Sequence, residues 1–128
     1  MLLVLDVGNT TVVAGVFDGE RLVRQWRLTS DRRTSDEVGM VLLSLMHSAG
    51  IDPKSIGGAI LGSVVPPLDS AIVEAMETYF HAPCMRVDTS LDLGIEVRYG
   101  APKEIGADRL INAVGGKAKY GCPLIVVD

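Results

Sequence analysis

The sequence predicts an α/β fold, a mixed β-sheet of three antiparallel strands followed by crossover units and flanked by helices. Three observations predict it. Residues 2–29 hold three runs rich in branched apolar residues, separated by the short polar joints Gly8-Asn9-Thr10 and Asp18-Gly19-Glu20, which is the pattern of a hairpin meander. From residue 34 onward, stretches with apolar residues at helical spacing alternate with short apolar runs, as strand–helix–strand crossovers require. The run 55–65 is small and apolar with no polar alternation, which suits a strand covered on both faces.

Taken in order, residues 2–7 and 10–16 form the first hairpin, because each run is too short for a buried helix and rich in β-branched side chains. Arg21 to Thr29 continues as a third strand, with Leu22, Trp26 and Leu28 expected on a buried face and Arg21, Gln25 and Arg27 on a wet one. Thr34-Ser35-Asp36-Glu37 has the spacing of a capping box, and Val38, Val41, Leu42, Leu45, Met46 and Ala49 follow at helical spacing up to Gly50. His47 lies off that stripe and is expected at the surface. Pro66-Pro67 ends the fourth strand and begins a second helix, with Ile72, Ala75, Met76, Tyr79 and Phe80 as its buried face. Residues 84–88 form a short strand, and 89–102 an ordered surface loop. A third helix opens at Gly106, with Leu110, Ala113, Val114 and Ala118 on one face. Pro123 to Asp128 closes the sequence as another apolar strand.

At 128 residues with 48% hydrophobic content, the chain supports one real core. A net charge of −4 and a pI near 5.1 argue against a nucleic-acid partner, since phosphate neutralisation needs clustered Lys and Arg. Cys84 and Cys122 have neither zinc nor disulfide spacing, which fits a reduced, cytoplasmic setting. No basic flank and apolar core mark a leader, and no run approaches the roughly 18 apolar residues of a membrane span, so no membrane partner is expected.

Asp6 stands where the first strand runs out. Gly8 and Asn9 tolerate positive φ, so the turn can present backbone N–H groups to an anion without a Walker lysine. A carboxylate beside such a cradle suits a magnesium ion bridging Asp6 and nucleotide phosphates. The same residues also describe an ordinary hairpin whose Asp solvates a turn, and composition leaves both readings open. Asp108 falls in the first turn of the third helix, where the macrodipole alone favours an acid.

Three pieces read together resemble one family: Asp6-Val7-Gly8-Asn9-Thr10, Gly106-Ala107-Asp108-Arg109, and Asp128 at the end of the last run, with Ser63-Val64-Val65-Pro66-Pro67 matching between them. On these residues the chain resembles the type III pantothenate kinases, within the superfamily of acetate and sugar kinases, Hsp70 and actin. The resemblance implies a ribonuclease-H-like fold, with residues 1–121 as the first such domain and 122–128 as the first strand of a second. The second phosphate turn and the adenosine-binding region would lie beyond Asp128, so the 128 residues by themselves are not expected to suffice for activity.

The resemblance further implies ATP-dependent phosphorylation of the primary hydroxyl of pantothenate to 4'-phosphopantothenate, the first step toward coenzyme A. It implies that Asp6 organises Mg²⁺ and that Asp6, Val7, Gly8, Asn9, Thr10, Thr11, Val12 and Val13 lie along ATP. Asp108 is implied as the general base, and Tyr99, Gly106, Ala107, Asp108 and Arg109 as pantothenate contacts. Arginine suits an anionic substrate because its planar fork bonds carboxylates. Tyr99 reads equally as a loop aromatic covering the core edge. Asp128 resembles the ligand of a monovalent cation, K⁺ or NH₄⁺, and the family implies a homodimer. Two other readings are a non-catalytic transcriptional accessory protein of the same fold and a superfamily kinase acting on another small molecule. The retained Asp6, Asp108 and Arg109 and the acidic balance speak against the first.

Overall fold

A computed structural model describes residues 1–98, 100–101 and 105–127. The strands are β1 (Leu2–Val7), β2 (Thr11–Asp18), β3 (Arg21–Thr29), β4 (Gly58–Ser63) and β5 (Cys84–Arg86), and the helices are α1 (Ser35–Ser48), α2 (Pro66–Ala75) and α3 (Ala107–Tyr120). They form one mixed sheet in the order β3-β2-β1-β4-β5. β1–β2 and β2–β3 pair antiparallel, whereas β1–β4 and β4–β5 pair parallel. Meander and crossover units are therefore arranged as the sequence predicts.

Alternation along β1 decides which side of the sheet each residue serves. Leu3, Leu5 and Val7 are at most 2% exposed and meet Val12, Ala14 and Val16 of β2, Ala59 and Leu61 of β4, and apolar residues of α1 and α2 in the core. Each such side chain contributes about 1.5–3 kcal/mol by leaving water. Asp6 has the opposite parity and is exposed, directly beside Val13 of β2 and Gly62 of β4.

The capping box at Thr34 forms in full. The Glu37 N–H donates to Thr34 Oγ1 at 3.2 Å, and the Thr34 N–H donates to Glu37 Oε2 at 2.7 Å. The α1 helix buries Val38, Leu42 and Met46 and leaves His47 exposed. Gly50 follows at φ +68, which only a residue without Cβ adopts cheaply. Pro66 and Pro67 occupy the first turn of α2, where the missing N–H groups have no helical acceptor to lose. The α2 helix passes into a π-turn over Met76–Phe80 and ends at His81 with φ 51. Tyr79 is half-buried; its ring fills the space where a Cβ on Gly39 of α1 would stand, and its hydroxyl donates to Asp36 at 2.6 Å.

Three expectations are corrected. Leu22 does not share a face with Trp26 and Leu28: the β2–β3 register shifts between the pairs Val16–Arg24 and Phe17–Leu22, leaving Val23 as an extra residue. Such a bulge reverses the alternation beyond it, so Val23 packs toward the core while Leu22 lies 45% exposed beside Gly15 and Phe17. Residues 123–127 do not form a strand; Leu124 and Val126 instead lie along α3 near Gly116. An apolar run becomes a strand only with a backbone partner, and this sheet offers it none among the described residues. Ala118 is exposed rather than on the packed face of α3.

Among the described residues no helix is long and apolar enough to cross a membrane.

Candidate active site

The C-terminal ends of parallel strands are where open α/β sheets place their ligands, because the loops diverge there and leave a crevice. Here that edge carries the residues following β1, β4 and β5. The turn after β1 is closed by the Gly8 N–H donating to Thr11 O at 2.9 Å, and a Cβ on Gly8 would stand 3.3 Å from that same oxygen. That is a tight contact, which a side chain at this position could keep only if the turn gave by a few tenths of an ångström. Contrary to the sequence expectation, neither Gly8 nor Asn9 adopts positive φ, and the Gly8 N–H is turned inward to Thr11. The Asn9 and Thr10 N–H groups donate to no backbone acceptor among the described residues, and both residues are exposed.

After β4, the Val64 N–H donates to Val7 O at 3.0 Å, which extends the parallel pairing past the strand ends. Ser63 Oγ accepts the Val65 N–H at 3.0 Å and shapes the entry to α2. At the end of β5, Arg86 makes a 2.7 Å ion pair with Asp69 of α2, which is 4% exposed.

The third wall is α3. It lies on the Asp6 side of the sheet, with Ile111 Cδ1 filling the space beside Gly62 where a Cβ would be. Together β1, β4 and α3 enclose a cleft of about 440 Å³ bordered by Asp6, Gly8, Ser63, Asp108 and Asn112, among others. Asp6 and Asp108, placed near opposite ends of the sequence, thus face one cavity.

Gly106 caps α3 with φ −65 and ψ 145 and offers no side chain to the helix N–H groups. Asp108 replaces that missing cap: its Oδ1 accepts the Arg109 N–H at 2.8 Å. The carboxylate therefore has a helix-capping contact and still borders the cleft, so the macrodipole reading and the site reading hold together. At the other end of α3, Lys117 Nζ donates to Gly94 O at 2.6 Å and ties down the loop that follows β5.

The remaining sequence-predicted site residues divide clearly. Val7 borders the cleft but its side chain is 1% exposed in the core, and Val12, 8% exposed, is a core residue as well. Alternation along the strands, which the motif reading did not apply, excludes both side chains from ligand contact. Thr11 and Val13 are half-buried, Ala107 is buried, and Arg109 is exposed outside the cleft lining. Tyr99 and Asp128 lie outside the described residues. Sequence reasoning missed Asn112, which follows Asp108 by four positions on the same helical face; that spacing could have revealed it. Burial pushes the half-buried Cys84 thiol up, away from thiolate chemistry.

The type III pantothenate kinase family model matches residues 2–128. The chain belongs to this family. A type III pantothenate kinase of Solibacter usitatus is 48% identical over 129 aligned residues, which cover 100% of this chain and 49% of that protein. One from Geobacillus kaustophilus is 44% identical, covering 100% of this chain and 50% of the relative. The chain spans about half the length of the curated relatives it matches. Among solved structures, the ROK hexokinase from Thermus thermophilus superposes with a TM-score of 0.50 at 21% identity, over 67% of this chain and 34% of the hexokinase. That likeness is one of fold.

Proposed function

We propose that the full-length protein transfers the γ-phosphoryl group of ATP to the primary hydroxyl of pantothenate, yielding 4'-phosphopantothenate for coenzyme A synthesis. One observation carries the reading: Asp6 and Asp108 line a single cleft at the C-terminal ends of β1 and β4, in a chain of this family. Phosphoryl transfer asks a protein mainly for positioning and charge neutralisation.

The Asn9 and Thr10 N–H groups and the close turn at Gly8 provide the phosphate side. Asp6 would hold Mg²⁺. Magnesium is usually bound by one or two carboxylates together with phosphate and water oxygens, which fits a cleft bordered by two carboxylates; no group of three or more acidic, His or Cys ligands is gathered among the described residues. When bound, the ion supplies neutralisation of the phosphate charge. Asp108 accepts the hydroxyl proton. Its Oδ1 contact with the Arg109 N–H steadies the carboxylate at the start of α3, and Arg109, Tyr99 and Ala107 are assigned to pantothenate.

Family resemblance supports the finer points: a monovalent cation at Asp128, a homodimer, and a second domain beginning near residue 122. The unpaired cysteine thiols Cys84 and Cys122 support a cytoplasmic setting. Mass spectrometry of the full-length protein incubated with ATP, Mg²⁺ and a panel of pantothenate, sugars and carboxylic acids tests the substrate. Pantothenate alone should gain one phosphoryl group. Phosphorylation of another compound in its place would reassign the protein within the superfamily.

A further inference from the structure

Gly106 stands at the N-cap of α3 with φ −65 and ψ 145, backbone angles open to every L-residue. Glycine caps a little less well than Ser, Asp or Asn and about as well as Thr, so neither conformation nor capping singles it out here. Space does. A Cβ at this position would run into Asp108 Oδ1 and come within 3.4 Å of Val64 Cγ1. The carboxylate has folded back over the bare Cα of Gly106 to reach the Arg109 N–H at 2.8 Å, and in that placement it borders the cleft shared with Asp6.

We infer that Gly106 is a positioning residue for the Asp108 carboxylate, acting through the side chain it lacks and making no contact with pantothenate. The inference rests on the proposed role of Asp108 as base. Any side chain at 106 displaces Oδ1, and a hydroxyl there competes directly for the Arg109 N–H, leaving the carboxylate without the contact that steadies it. Stability and activity should then separate, because the substitution that improves the helix cap is the one that disturbs the base.

Two variants of the full-length protein test this. In Gly106→Ala, kcat for pantothenate phosphorylation is expected to fall about 10²-fold, within the range lost when a general base is misplaced, while KM for pantothenate stays within about twofold. In Gly106→Ser, kcat should fall at least as far while the melting temperature stays level or rises, since serine caps better than glycine. Native kcat in both variants would overturn the inference, as would a raised KM at unchanged kcat, which would mark Gly106 as a substrate contact. Collapse of the melting temperature in both variants would likewise overturn it, because the space would then serve the fold. Asp108→Asn, measured alongside, separates the two claims. If it retains native turnover the base assignment fails; if it is inactive while both Gly106 variants turn over normally, only the positioning role fails.

Discussion

Ile111 of α3 places its Cδ1 where the side chain of Gly62 on β4 would begin, and Gly62 pairs in parallel register with Asp6. The seating of the helix on the sheet and the carboxylate at the end of β1 are thus separated by a single strand spacing. Asp108 lies one turn before Ile111 on the same helix and borders the same cleft. The width of the site is set where α3 meets β4.

Filling that contact should widen the site. Gly62→Val puts its Cβ and methyls into the space that the Ile111 tip holds, and overpacking of this kind costs about 1–3 kcal/mol. Urea unfolding should show that loss, together with reduced turnover. Adding Ile111→Ala should recover most of the stability, since neighbouring substitutions couple when one makes room for the other. Purely additive losses would show that the two residues do not share the space.

Gly39 should behave against helix propensity. An interior glycine replaced by alanine normally gains about 0.5–1 kcal/mol. Here the Tyr79 ring occupies the Cβ position, and its hydroxyl is held by Asp36 at 2.6 Å, so the ring cannot simply swing away. Gly39→Ala is expected to lose about 1–3 kcal/mol by overpacking, read by thermal or chemical unfolding. A stabilised variant would show that the α1–α2 contact yields freely.

The capping box should be visible in the acid limb of stability. The Thr34 N–H, and then its hydroxyl, hold the Glu37 carboxyl below its ordinary value. A carboxyl lowered in the native state contributes stability above its unfolded pKa, and loses it as pH falls through the lowered native value. Thr34→Ala removes the hydroxyl bond, so its cost should be greatest near neutrality and shrink below the ordinary carboxylate range. A stability difference from the native protein that stays constant down to acid pH would contradict the linkage.

The order of elements was legible in the sequence because each carries its own local signal: the Thr34–Glu37 box for α1, Pro66-Pro67 for α2, and the Asp18-Gly19 turn between β2 and β3. Leu22 was misplaced because a bulge is a property of two paired strands, and nothing within residues 21–29 announces the extra Val23. Residues 123–127 have the composition of a strand, but pairing depends on a neighbour that composition does not supply. At the site, Asp6 and Asp108 were legible as motif residues, while their meeting across one cleft required β4 and α3 to be placed. Gly62 and Ile111 belong to no motif and became visible only through that placement, whereas Asn112 lay within reach of the helical spacing from Asp108. Gly8 was singled out for positive φ, which it does not adopt; a Cβ there would instead stand 3.3 Å from Thr11 O.

The pairing of Asp6 with Asp108 in one phosphoryl-transfer site is tested most directly by pantothenate-dependent ADP formation in full-length Asp108→Asn, with ATP binding and melting temperature followed in parallel. The amide keeps the shape and can still accept the Arg109 N–H, but it cannot take a proton. Turnover should fall about 10²–10⁴-fold with ATP binding and stability unchanged. Turnover within a few-fold of the native protein would contradict the assignment.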